Sequence, residues 1–351
     1  QGPAGQANVL QETTPVKPPK RGNPWKQFTL LSRRYLELLK NDTGNLLVLL
    51  LQAPIIAAIL VLMLSSGGHG TFDPTSIVQC HLPPTDKKIV NCQNVVNFLH
   101  NDPNGQAIVA SHGGNVNQAL QGFIAPLSGF DAQKYLFIMA FAAMFFGCVN
   151  GAREIVKEAP IYRRERTVNL GIGPYMFSKI VILGILCLLQ CAVLVLAVNW
   201  VAPIQQGILL PAPFEVYITM ALTSLAGLMI GLTVSAIAPN NDRAVTLIPI
   251  ILIPQVIFAG LLFKLDGPVL QAIGALFAVR WGMAASGSSV GLHGGDNLRT
   301  DDFSYKGTLF STFSQTEAAI HLFICWFALV LMILILGVAI AYFLKRKDVR
   351  A

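Results

Sequence analysis

Six stretches of this 351-residue sequence are apolar and almost free of charge: 45–64, 135–152, 177–200, 216–238, 244–263 and 318–344. Each is long enough to cross a hydrocarbon core, which takes roughly 17–25 residues at 1.5 Å per residue. In hydrocarbon the backbone must satisfy its own hydrogen bonds, so runs of this length are expected to be helices. Composition agrees: 53% of residues are hydrophobic, 12% are charged and the mean hydropathy is +0.57, whereas soluble domains carry roughly 25% charged residues. These values exclude a water-soluble globular protein, a disordered chain and a small disulfide-stapled domain. The expected fold is all-α and polytopic, with six transmembrane helices. Pro249 and Pro254 fall in the fifth, where neighbouring helices can satisfy the freed backbone groups. The first begins 45 residues in and lacks a cleavage-type end, so it is not a signal peptide.

The placement of charge gives the orientation. With six spans both termini share a side, and 18 of the 25 Lys and Arg lie on that side, which is expected to be cytoplasmic. Acidic residues divide the other way, leaving about +10 on one side and −3 on the other, out of a net +7. The high pI is a topology signal of a multi-pass protein of the cell (plasma or inner) membrane. No aromatic-interleaved basic stretch accompanies it, so no nucleic-acid partner is expected.

Between the spans, 1–24 is a proline-rich linker that reads as a tether to an upstream domain. Residues 25–44 form an amphipathic connecting helix, with Phe28, Leu31, Tyr35, Leu38 and Leu39 at three- and four-residue steps, lying on the cytoplasmic surface. The 65–134 insertion between spans one and two is too long for a turn and is expected to fold as a small external domain. It holds Cys80 and Cys92, the two of the six Cys outside the spans. In an oxidising exterior they form a disulfide closing a short loop; otherwise they are free thiols. The external segment 264–317 begins with moderately apolar residues broken by Gly267, Gly274 and Gly282, which suits short re-entrant helices, and 345–351 is a basic cytoplasmic tail. Gly227 and Gly231 make a small-x-x-x-small face that would pack helices within or between protomers, or is a coincidence of spacing.

Several chemistries are missing from the sequence. It has no phosphate-binding loop, no Gly-x-Gly-x-x-Gly and no His-Glu-x-x-His. Its six His are scattered without ligand spacing, so no catalytic residues, metal or cofactor are expected in this chain. The span cores lack Asp and Glu, which argues against a proton relay or ion-coupled carrier. Energy for any transport has to come from another polypeptide or domain.

The segment 153–176 is the most informative. Arg153-Glu154, Lys157-Glu158, Pro160, then Ile161-Tyr162-Arg163-Arg164-Glu165-Arg166 describe a charged extension of span two, broken at proline, that turns back into span three. A mixed-charge hairpin carrying Ile and Tyr suits docking of a soluble partner. The plainer alternative is a positive-inside cluster, against which the three interspersed Glu residues weigh.

Glu158-Ala-Pro-Ile-Tyr-Arg-Arg164-Glu165, followed by Pro174-Tyr175 and Ser178-Lys179, resembles the coupling-helix signature of ABC-2 type permeases, in particular the ABCG-like (type V exporter) transmembrane domain. The surface helix, the Phe258-Ala-Gly-Leu261-Leu262 end of span five, Arg280-Trp281-Gly282 and the basic exit after span six add to it, over roughly 25–65 and 135–350. The resemblance implies that Glu158, Tyr162, Arg164 and Glu165 couple to a nucleotide-binding domain, which carries ATP and Mg and is either fused upstream or a separate subunit. It also implies a substrate cavity lined by Met139, Phe146, Gln255 and Phe258 and a valve at Leu261 and Leu262. The whole would export a lipid-like or amphipathic cargo by alternating access, as a dimer of two permease protomers, expected to be a homodimer, among membrane lipids. A non-transporting envelope scaffold built around 65–134 and an ion channel are the competing readings, while a membrane-bound enzyme lacks clustered catalytic side chains.

Overall fold

The computed structural model describes residues 23–65, 71–72, 79–81, 89–114, 116–123, 130–167, 170–205, 207–262, 265, 267–292 and 315–349. The proline-rich stretch before residue 23 and the segment 293–314 lie outside them.

Helix α1, Pro24–Asn41, starts at Asn23, whose side chain accepts a hydrogen bond from the Trp25 amide at 3.0 Å, with Pro24 at the first helical position. After a one-residue corner, α2 runs Thr43–Ser65 and buries one stripe, Leu49, Ala53, Ala57, Leu60 and Leu64, leaving the rest of its apolar surface outward. The insertion then pairs β1, Gln79–His81, antiparallel with β2, Ile89–Asn91, and adds α3, Cys92–Asn101, α4, Pro103–Ser111, and α5, Val116–Gln121. Cys80, Val95, Leu99, Ala119, Leu120 and Phe123 give it a core separate from that of the bundle. Cys80 is buried and disulfide-bonded, whereas Cys148, Cys187, Cys191 and Cys325 are free; the Cys92 side chain is outside the described residues.

The bundle continues with α6, Phe130–Gly151, the short α7, Ala159–Thr167, then α8, Ile172–Val201, and α9, Ala212–Ile237. It ends with α10, Asn241–Ile257, α11, Pro268–Gly274, α12, Ala278–Ser289, and α13, Gln315–Val349. By length and composition α2, α6, α8, α9 and α13 can each cross a membrane, and the pair α11 and α12, bent by 95°, would make a sixth crossing if counted as one broken span. Helix α10, in the place of the expected span 244–263, has 17 residues and reaches about 25 Å. It stops because Gly260 takes a φ of 91°, a left-handed conformation that ends the helical path. The two halves of the re-entrant pair differ: nearly all of α12 is buried among α6, α9, α10 and α13, where irregular backbone can be satisfied, whereas α11 leaves Val269, Leu270 and Ile273 exposed.

Helix α9 is the hub, and its closest partner is α6. A Cβ at Gly227 would collide with the Met144 carbonyl oxygen, and one at Gly231 with that of Cys148. From the other side, a Cβ at Gly147 would strike the Ser224 carbonyl oxygen, and one at Gly151 would lie 2.7 Å from that of Leu228. Two Gly-x-x-x-Gly faces therefore meet within one protomer, which resolves the role of Gly227 and Gly231 and adds Gly147 and Gly151 to them. An amide chain ties three helices together. Gln52 on α2 donates to Asn150 on α6 at 2.9 Å, Asn150 donates to Gln190 on α8 at 2.8 Å, and Gln190 donates back to the Leu49 carbonyl at 2.6 Å.

Substituting Gly227→Leu should force α6 and α9 apart and cost about 1–3 kcal/mol, the usual scale of overpacking. Gly44→Leu, where a Cβ meets open space, should be close to neutral. Thermal unfolding of the purified chain in detergent, read by the monodisperse fraction after heating, distinguishes the two.

Candidate functional site

At one end of the bundle α1, the turn 152–158, α7, the start of α8 and the ends of α9 and α13 come together, and most of the ionic residues among those described are there. The turn is held from four directions. Ser235 on α9 accepts from the Ile155 and Val156 amides, both at 2.9 Å, and so satisfies two donors freed where α6 breaks. Tyr35 on α1 donates its phenol to Glu154 at 2.5 Å. Lys179 on α8 makes an ion pair with Glu158 at 2.5 Å, to which Tyr175 also donates at 3.4 Å. Lys157 pairs with Asp42, at the corner between α1 and α2, at 3.3 Å.

The centre of this cluster is Lys179. Its side chain is 2% exposed and that of Glu158 is 9% exposed, and the ammonium lies 3.4 Å from the centroid of the Tyr35 ring. Two ions removed from water are tolerable only when paired and hydrogen-bonded, and here the aromatic face adds a third favourable contact. Burial, with the neighbouring Glu154 carboxylate adding to it, pushes the Tyr35 phenol well above the usual tyrosine range, so it remains a donor at any physiological pH. Helix α7 is fastened above the cluster by the Tyr162 ring against Tyr175, 4.8 Å between centroids, and by an ion pair of Glu165 with Arg34. The hydrogen bond that the Arg34 guanidinium donates to Glu165 holds it above its ordinary pKa.

The four expected coupling residues therefore divide. Glu158 and Tyr162 are buried and hold α7 from below, and Glu165 ties it sideways to α1. Arg164 faces outward, with Pro160, Ile161 and Arg163 beside it, and these make the surface that a partner could touch. Sequence reasoning gives no site role to Arg34, Tyr35 and Glu154, and Lys179 enters there only within the Ser178-Lys179 part of the resemblance, although a lone Lys just inside an otherwise charge-free span is itself a signal that a carboxylate must be near.

The residues expected to line a cavity also divide. Met139 and Phe146 are fully enclosed in the main core, in contact with protein on all sides. Gln255 is buried and accepts from the Val279 amide at 3.1 Å, pinning the start of α12 to α10. Phe258 stacks on Phe277, with centroids 4.8 Å apart and planes within 4°. Leu261 packs against the core and Leu262 is exposed. The partly open stripe of α6 is Ile138, Phe141, Phe145 and Val149, one step out of phase with Met139 and Phe146. Among the described residues no group of three or more His, Cys, Asp or Glu could hold a metal ion.

The family model described as ABC-2 type transporter matches residues 26–287, from α1 through α12. The ABC transporter ATP-binding/permease protein of Mycobacterium tuberculosis is 26% identical to the chain over 305 residues, covering 82% of this chain and 30% of that protein. The chain thus spans under a third of the length of that relative.

Glu158→Gln should destabilise the fold by about 3–5 kcal/mol, because it leaves the Lys179 ammonium buried without its counter-ion. Adding Lys179→Met should recover most of that loss. Chemical unfolding of the two single variants and the double variant gives the coupling; additive losses would mean that the pair is not the anchor described here.

Proposed function

Because the chain belongs to the ABC-2 type transporter family, we propose that this transporter permease domain is worked by a nucleotide-binding domain seated on the exposed edge of α7. The observation that carries the reading is the division of labour at α7: Glu158, Tyr162 and Glu165 hold it to α8 and α1, while Pro160, Ile161, Arg163 and Arg164 present exposed side chains. A helix fastened on one side and open on the other, at the end of the bundle with the excess of basic residues, suits a lever moved by a soluble partner. That end is then cytoplasmic, in keeping with the bias of Lys and Arg. ATP and Mg belong to the partner, which would be fused upstream or supplied as a subunit; the mycobacterial relative is itself named as an ATP-binding/permease protein.

On this reading two protomers face each other across α6 and α10, and closure of the nucleotide-binding domains draws their α7 helices together. The space between protomers is lined by the open stripe of α6, with Phe141 and Phe145 offering aromatic surface to an amphipathic or lipid-like cargo. Leu261 and Leu262, in the turn past α10, would be the apolar constriction it passes on the way out. Phe146, one residue along, supports this wall from the core side.

In the complete transporter reconstituted in vesicles, Ile161→Asp with Arg164→Glu should lower ATP-driven transport by roughly 5–150-fold, the range for a coupling energy of 1–3 kcal/mol, with the folded fraction unchanged. Glu165→Ala should have the same sign while ATP hydrolysis persists, and intact transport in that variant would remove the assignment of α7. For the cavity, Phe145→Ala should change cargo selectivity with little effect on thermal stability. Phe146→Ala should instead lower stability by about 3–5 kcal/mol, as truncation of a core aromatic does.

A further inference from the structure

Between the start of α1 and the start of α8 lies a groove of about 570 Å³, lined by Pro24, Trp25, Phe28, Pro174, Phe177 and Val181, with Gly173 at its floor. Its lining is wholly apolar, and nothing in the network at that end of the bundle uses it. The walls are preset: Pro24 and Pro174 stiffen the first turns of their helices, and Gln27 on α1 accepts from the Gly171 amide at 3.1 Å, joining the two walls.

We infer that this groove binds one acyl chain of an anionic phospholipid from the leaflet at the basic end. The first argument is continuity. Phe177 and Val181 begin a stripe of exposed apolar residues on α8 that continues through Ile185, Leu189, Val193 and Leu196 to Trp200, so the groove opens sideways onto the bilayer-facing surface. The second is depth. From Phe177 to Trp200 is about 34 Å of helix, close to the roughly 30 Å thickness of the hydrocarbon core, which sets the groove at the boundary between hydrocarbon and headgroups. Trp25 and Trp200, 73% and 88% exposed, then mark the two interfaces where indoles concentrate. The third is charge. Lys26 is exposed in the first turn of α1 beside the groove, and that turn has no acidic residue, so a headgroup at its mouth meets positive charge. A volume of this size is in the range of sites that enclose small hydrophobic ligands.

The inference is separate from what the transporter moves, and one experiment distinguishes them. The full chain is incorporated into nanodiscs of equal phosphatidylglycerol and phosphatidylcholine and re-extracted in mild detergent, and the retained lipids are counted by mass spectrometry. Wild type should retain phosphatidylglycerol in preference to phosphatidylcholine. Gly173→Phe, placed where a Cβ meets open space and φ is ordinary, should fill the groove and abolish that retention. Lys26→Gln, an exposed change that does not challenge folding, should reduce the preference about fivefold, the factor for ~1 kcal/mol per basic residue near an anionic headgroup. Unchanged retention in both variants overturns the site, whether the upstream segment covers the groove or the lipid lies elsewhere. Loss on Phe145→Ala with retention on Gly173→Phe overturns it too, because the lipid would then occupy the space between protomers.

Discussion

Surrounded by hydrocarbon, α6 and α9 gain nothing by hiding apolar side chains from water, so closeness of backbone has to hold them together. Four glycines allow it: Gly147 and Gly151 face Gly227 and Gly231 so tightly that any Cβ would meet a main-chain atom of the other helix. This contact sets the register of the two helices, and the register has a consequence one turn further on. Ser235 arrives beneath the point where α6 breaks, and its hydroxyl accepts the Ile155 and Val156 amides that the break leaves over. The turn 152–158, and with it the position of α7, thus descends from a packing contact made inside the bundle.

The ionic cluster above that turn combines two kinds of electrostatics. Glu158 and Lys179 are buried, and such a pair adds little net stability over an apolar replacement, yet breaking it from one side is costly. Arg34 and Glu165 are partly exposed, and a pair of that kind is worth about 0–1 kcal/mol. The first keeps one arrangement and excludes others; the second can be remade at small cost. A helix that must stay attached to α8 while its outer edge works against a moving partner needs both, in that order from inside to outside.

How much of this could be read beforehand depended on whether the signal was local. Long apolar runs reveal their helices because hydropathy is summed along the chain, and the charge knot at 153–166 stood out for the same reason. The end of α10 was not legible: the apolar run continues past Ile257, and only the backbone conformation of Gly260 stops the helix. Phase was not legible either. Phe145 and Phe146 are adjacent and alike, and which one is enclosed depends on how α6 is rotated against α9. That rotation follows from the Gly147 and Gly151 spacing, a signal the sequence carries alongside Gly227 and Gly231. The resemblance places Glu158 at the docking surface; its burial follows from Lys179, twenty-one positions away.

If α7 is the point where force enters, the fold constrains where that force goes. The turn 152–158 continues directly from α6, the Glu158–Lys179 pair joins it to α8, and the glycine contact joins α6 to α9. Packed contacts of this sort have discrete arrangements and deform little, so the four elements should move together. Helix α10 is built otherwise. It is short, carries two prolines, meets α6 and α9 sparingly, and is fastened at its far end to α12 through Gln255 and the Phe258–Phe277 stack. A seam between a stiff unit and a loosely held helix opens before either side deforms. The open stripe of α6 lies on that unit, so a cavity that opens and closes with α7 belongs at the seam between α6 and α10 rather than inside the protomer core.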